Sequence, residues 1–302
     1  MESILIGYER TLQGEDALAL GGIFSEVLSA GPMIVTALPF SSTAMGRSNM
    51  ELSLSVDTAE MLSVARDRLA PLEPASAAIA SPSAAKGLAE SALARGASMI
   101  VIGSSHRGPI GHVVFGSTAA RLLQDSPVPV AVAPRGFSET SNRRLHRITV
   151  AYDGSAESRR ALETAIELKE LTHADLTVVH AVEPPRTGYG AFGQAVLAME
   201  SDGDGLPANA LLQEGLRQVP AELAVKGRLF YGFAAEALAE AAKHSDLLVL
   251  GSRGRGPLMR AALGSVSGPL ARQAPCPILV IPRGEMAGSL AGSMQGAAGE
   301  GR

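Results

Sequence analysis

Short apolar runs alternate along this chain with stretches whose apolar residues recur at helical spacing. The order is plainest from residue 148. Ile148–Tyr152 is a short apolar run and predicts a first strand. Ser155–Leu171 carries its apolar residues three and four apart, and Ser155 is a ready N-cap. DLTVVHAV (175–182) predicts strand two, and a helix follows near Ala208–Leu223. VKGRLFY (225–231) predicts strand three, FAAEALAEAAKH (233–244) a helix, and DLLVLG (246–251) strand four. A helix from about Ser265 precedes strand five, PILVIP (277–282).

The same order occurs earlier. ILIGYERTLQGEDAL (Ile4–Leu18) matches ITVAYDGSAESRRAL (Ile148–Leu162), and Ser98–Gly136 matches Ser245–Gly284. One domain is therefore written twice. The expected division is 1–136, a polar seam at 137–146, 147–284, and a Gly-rich tail at 285–302 expected to be disordered. Strict strand–helix alternation implies an α/β fold of two doubly wound, Rossmann-like five-stranded parallel sheets with right-handed crossovers. Strand five is flanked by Pro127, Pro129 and Pro134 in one copy, and by Pro275, Pro277 and Pro282 in the other. Proline removes a ladder donor, so this strand belongs at a sheet edge. The natural cover for such an edge is its equivalent in the other copy, giving an internal pseudo-dimer. A further homodimer is left open.

Composition narrows the function. The chain has 302 residues, 46% hydrophobic and 19% charged, with a net charge of -4 and no Trp. That is globular, with a core of small and aliphatic side chains, and argues against a nucleic-acid partner. There is no basic n-region and no apolar run long enough to span a membrane, so the expectation is a cytoplasmic protein. Cys276 is the single cysteine. It reads as a buried structural thiol, with redox sensing the alternative. No histidines pair at metal-ligand spacing, so no protein metal site is expected.

The segment LVLGSRGRGPLMRAALGSVS (248–267) ends strand four, passes through glycines and opens a helix at Gly264-Ser265. Ligands of open parallel sheets bind beyond the carboxyl ends of the strands. Gly251 and Gly254 permit unusual backbone and close approach. The helix start offers free amides and partial positive charge, suited to phosphate. Asp153, ending strand one, suits a ribose hydroxyl or a base better than phosphate. These polarities fit a nucleotide.

Gly, two residues, Gly, nine residues, Gly-Ser resembles the ATP-binding signature of the universal stress protein family. The AYDGS strand end, VVHAV, LVLGSRGRG and APCPILVIPR are similar to it as well, and both copies share the likeness. The resemblance implies that Ala151, Tyr152 and Asp153 border adenine and ribose, with Ala181 beneath the base. It implies that Leu250, Gly251 and Gly254 shape the loop, and that Gly264, Ser265, Val266 and Ser267 receive the phosphates of ATP, with Mg2+. Gly268-Pro269 departs from the pattern but is tolerable in a first helical turn. The first copy implies a weaker site at Gly7, Tyr8, Glu9, Gly103, His106, Gly116, Ser117 and Thr118. There His106 replaces Gly254, and Glu9-Arg10 replace Asp153-Gly154.

Other features carry less. Arg253 and Arg255 read as phosphate clamps or as solvated loop charges. GYGAFG (188–193) fits a dinucleotide pattern in the wrong context and reads as a flexible loop or a lid. No P-loop or nucleophile elbow occurs, and nothing marks a catalytic residue. The resemblance implies a stress-linked regulator or ligand sensor with an unknown protein partner. The alternatives are a slow ATPase or adenylate-handling enzyme, and a nucleotide-free dimerisation scaffold.

Overall fold

The computed structural model describes residues 3–39, 47–106, 109–140, 144–182, 208–252 and 274–283. They fall into two compact units. The second repeat forms the second unit together with His112–Val114, where the Val113 amide donates to the Ala274 carbonyl (2.9 Å).

The first unit runs β1 (Ser3–Gly7), α1 (Leu12–Leu28), β2 (Gly31–Pro39), α2 (Arg47–Arg68), β3 (Ala75–Ser81), α3 (Ala84–Arg95), β4 (Ala97–Gly103), α4 (Ser117–Asp125) and β5 (Val130–Ala133). The second runs β6 (Arg147–Ala151), α5 (Ala156–Thr172), β7 (Asp175–Val182), α6 (Ala208–Arg217), β8 (Val225–Tyr231), α7 (Ala234–Ala242), β9 (Leu247–Gly251) and β10 (Ile278–Ile281). The strand orders are β3-β2-β1-β4-β5 and β8-β7-β6-β9-β10. Every described pairing within each unit's sheet is parallel. The order reverses where β1 meets β4, and where β6 meets β9. The carboxyl ends of these strands are the switch points at which such sheets hold ligands.

The apolar runs account for the strands. Ile4, Leu5 and Ile6 in β1, and Leu247, Leu248 and Val249 in β9, are fully buried. Runs buried on both faces are what parallel strands require. Three helices start on hydroxyl caps: Thr11 accepts from the Gly14 amide, Ser83 from Lys86, and Ser155 from Ser158. The helix expected to reach Leu223 ends at Arg217. Its last amides turn back over three residues (Gln218 to Gly215, Val219 to Leu216), and Pro220 disfavours helical backbone at Val219. The strand-five prolines keep a ladder role through their carbonyls. Pro129 accepts from Ile100 (2.9 Å) and Pro277 from Leu248 (3.0 Å).

The seam looks polar in sequence, yet residues 137–140 are held down. Phe137–Glu139 forms a short 3-10 turn with Phe137 buried. Gly136 enters it at φ +79, a conformation that suits glycine. The fully buried carboxylate of Asp16 on α1 accepts from the Gly136 amide (2.8 Å), the Ser138 amide (2.8 Å) and the Ser138 hydroxyl (2.9 Å). Sequence offered no sign of this latch, because its partners lie 120 and 122 residues away. The tail at 285–302 and the helix expected from Ser265 lie outside the described residues. No helix among the described residues is long and apolar enough to cross a membrane.

Two outcomes follow. Asp16→Ala leaves three half-buried donors without their carboxylate and should cost about 2 kcal/mol in urea denaturation; a loss below about 1 kcal/mol would show that Asp16 does not hold the seam. Burial pushes the Cys276 thiol up to about 12, with Asp246 adding to it. Cys276 should therefore resist thiol reagents at neutral pH until the protein is unfolded. Rapid labelling of the native chain would contradict that.

Candidate functional site

Three neighbouring strands of the second unit bring the described site residues together. β6 ends at Ala151 and is followed by Tyr152 and Asp153, β7 carries Ala181 at its end, and β9 ends in Leu250 and Gly251. Gly254, Gly264, Ser265, Val266 and Ser267 lie outside the described residues, as do Arg253, Arg255 and residues 188–193.

Tyr152 continues the ladder, its amide donating to Val179 (2.8 Å). Its ring is buried under α6, where a Cβ on Gly215 would lie 3.0 Å away. The phenol donates to Glu214 Oε1 (3.1 Å) and accepts from Gln218 Nε2 (2.7 Å). Arg159 of α5 donates to the same Glu214 oxygen (2.7 Å). Burial above all raises the phenol from its usual value, so it stays a neutral donor at neutral pH. What Tyr152 presents at the strand end is its main chain.

Asp153 has local work. Its Oδ1 accepts from the Ser155 amide (3.0 Å) and hydroxyl (2.6 Å), and its amide donates to Ser158 Oγ (3.3 Å). This places a carboxylate at the amino end of α5, where the helix dipole favours it. Gly251 is a glycine for a different reason than expected. It is not among the positive-φ residues. A Cβ there would lie 2.7 Å from Glu157 Cβ and 2.9 Å from its main-chain carbon. Packing of α5, not an unusual conformation, requires it.

In the first unit, Gly7 ends β1 and Gly103 ends β4, and a Cβ on Gly103 would collide with the Gln13 carbonyl. Tyr8 is buried and donates to Glu15 Oε1 (3.0 Å). Burial first, and Glu15 second, push its phenol up to about 12. Glu9 and His106 are exposed. Gly116 caps α4 without a side-chain bond, ahead of Ser117 and Thr118. A Cβ on Gly116 would sit 3.6 Å from Ser105 Cβ. The loop leaving β4 thus returns its Gly-Ser helix start to the end of the strand it left. The first-turn amides of such a start have no intrahelical acceptor.

Sequence reasoning missed a pair of residues that aligning the second strands would have found. Gly7 pairs with Val35, and Ala151 with Val179. Thr36 and His180 come next in their strands. Thr36 Oγ1 donates to the Tyr8 carbonyl (2.8 Å), and His180 Nδ1 lies 2.8 Å from the Tyr152 carbonyl. A carbonyl only accepts, so Nδ1 carries the proton. His180 Nε2 is buried and has no partner among the described residues. Arg159 and Glu214 were missed too. In the first unit the corresponding pair is Glu15 with Arg68 (3.8 Å), with the charges exchanged between the two helices. Both pairs are partly exposed and contribute about 0–1 kcal/mol.

A family model described as the universal stress protein family matches residues 2–134 and 144–282. A universal stress protein of Mycobacterium tuberculosis is 34% identical over 146 residues, 46% of this chain and 48% of that protein. The chain thus spans about half the length of the first curated relatives it matches. A universal stress protein of Thermus aquaticus is 36% identical over 138 residues, 44% of this chain and 96% of that protein. The crystal structure of a universal stress protein from Archaeoglobus fulgidus aligns with a TM-score of 0.65 at 20% identity. It covers 94% of this chain and 97% of that chain, a likeness of fold.

Gly251→Ala is expected to cost about 1–3 kcal/mol, because α5 must move off β9. A urea midpoint equal to that of the wild type would show that the helix yields freely.

Proposed function

The chain belongs to the universal stress protein family, with the family's domain present twice, and from that premise we propose that it binds ATP, with Mg2+, at the carboxyl ends of the second unit's strands and acts as a ligand-responsive regulator. The observation that carries the reading is the returning loop of the first unit. There the Gly103-to-Gly116 spacing brings the amino end of α4 beside Ser105. The second repeat has the same spacing from Gly251 to Gly264, followed by Ser265, Val266 and Ser267. On this reading their amides face the phosphates. The small residues Ala151 and Ala181 leave room for a base over the strand ends, and Asp153 faces the ribose.

The residues present fit such a ligand. The strand ends are small, a carboxylate adjoins them, and the helix-start amides are uncapped in the copy that is described. Mg2+ would arrive with the phosphates and keep most of its ligands as water and phosphate oxygen. Gly254 suits close backbone approach in the second unit, and His106 stands in its place in the first. The second unit is therefore the main site, and the first is weaker. The regulatory output is a partner surface altered by occupancy.

The test is calorimetric and thermal. At ATP about 1,000 times its Kd, stabilisation should approach about 4 kcal/mol. Gly254→His should lower affinity about tenfold, equivalent to about 1.4 kcal/mol, with an unchanged circular dichroism spectrum. Absence of any melting shift with ATP and Mg2+ would refute the proposal.

A further inference from the structure

The two units differ most tellingly at the end of their third strands. In the first unit, Ser83 caps α3, its hydroxyl accepting from the Lys86 amide (3.3 Å). In the second, the N-cap of α7 is Phe233, which makes no side-chain cap bond. Replacing serine at a cap with a residue that cannot accept costs about 1 kcal/mol. Phe233 is also 52% exposed, and Tyr231 is 55% exposed. No other aromatic side chains among the described residues are so exposed. A ring at a cap position and two exposed aromatics are not what helix capping or core burial selects. Such local departures from folding logic mark functional positions.

Their place in the fold says what they serve. β8 pairs with β7 so that Phe230 lies opposite Ala181 and Tyr231 opposite Val182. The Gly232 amide donates to the Val182 carbonyl (3.0 Å), and Gly232 turns the chain at φ +139. Phe233 follows at once. Neighbouring strands are about 4.8 Å apart, so the aromatic turn adjoins the end of β7. β7 carries Ala181 there, and Ala151 ends the next strand, β6; the methyl groups of both fill little space. Aromatic faces stack on every nucleobase, and any preference among bases comes from stacking strength, which favours the larger purine rings.

We infer that Phe233 forms a base-contacting wall of the second unit's nucleotide site and biases that unit toward a purine base. This rests on the nucleotide reading above and adds a residue outside the Gly-Ser signature. The first unit has Ser81 and Ser83 around the corresponding turn. It therefore lacks this wall and should discriminate little between bases.

Phe233→Ser copies the first unit and restores a cap, so the variant should melt at or above the wild-type temperature. Isothermal titration of the full chain with ATP, UTP and inorganic tripolyphosphate, each with Mg2+, tests the inference. The variant should bind ATP about tenfold more weakly than wild type. Its ATP-to-UTP preference should fall, and its tripolyphosphate affinity should be unchanged. Equal ATP affinity in wild type and variant overturns the inference while leaving the nucleotide reading in place. A parallel loss of ATP and tripolyphosphate affinity also overturns it, because the damage would then lie at the phosphates. A wild type that binds no ATP removes the nucleotide reading, and this inference with it.

Discussion

In both units the first helix passes strand four too closely for a side chain. Gly103 meets Gln13, and Gly251 meets Glu157, at equivalent points of the two repeats. Close packing of this kind transmits position, because interiors have little slack. It sets where α1 and α5 begin relative to the carboxyl ends of β4 and β9. In the second unit that start carries Asp153, Ser155 and Ser158 in one hydrogen-bonded turn. The candidate site is thus built on a helix start whose place is settled by a glycine in another strand. That glycine belongs to the motif read as ligand-binding, and its measurable role is to admit a helix.

Around this shared frame the copies have diverged in side chains while keeping their contacts. A threonine in one unit and a histidine in the other hold the carbonyl at the end of the first strand. A buried tyrosine meets a carboxylate in both, but Glu15 comes from the first helix and Glu214 from the second. An exposed ion pair is cheap to invert, because solvent screens it in either sense. The helix cap is different. Ser83 and Phe233 are not equivalent solutions, because the serine hydroxyl accepts from an amide of its own helix and the phenylalanine ring cannot. Divergence that preserves a contact is drift around a frame; divergence that gives one up points to use.

Much of the architecture was legible from apolar spacing alone. The boundaries of β7 and β8 and the Ser155 cap agree with the pattern of residues, because parallel strands and amphipathic helices impose different periods. The repeat was legible for the same reason: the same folding problem is written twice. The end of α6 was read too far, since helical spacing persists past the point where Pro220 and a tightening last turn stop the backbone. The candidate site was legible only as a grouping of small and polar positions at strand ends. The work each of them does was not.

What the residues determined by themselves was local: which segments are strands, which are helices, where caps form and where no Cβ is tolerated. Only the tertiary structure decided that Asp16 holds a turn far along the chain, that Tyr152 turns its ring to α6, and that Gly251 serves helix packing. The physical reason is one of range. Propensity and periodicity act over a few residues, whereas a buried carboxylate or a close helix–strand approach depends on groups brought together only when the sheet has formed.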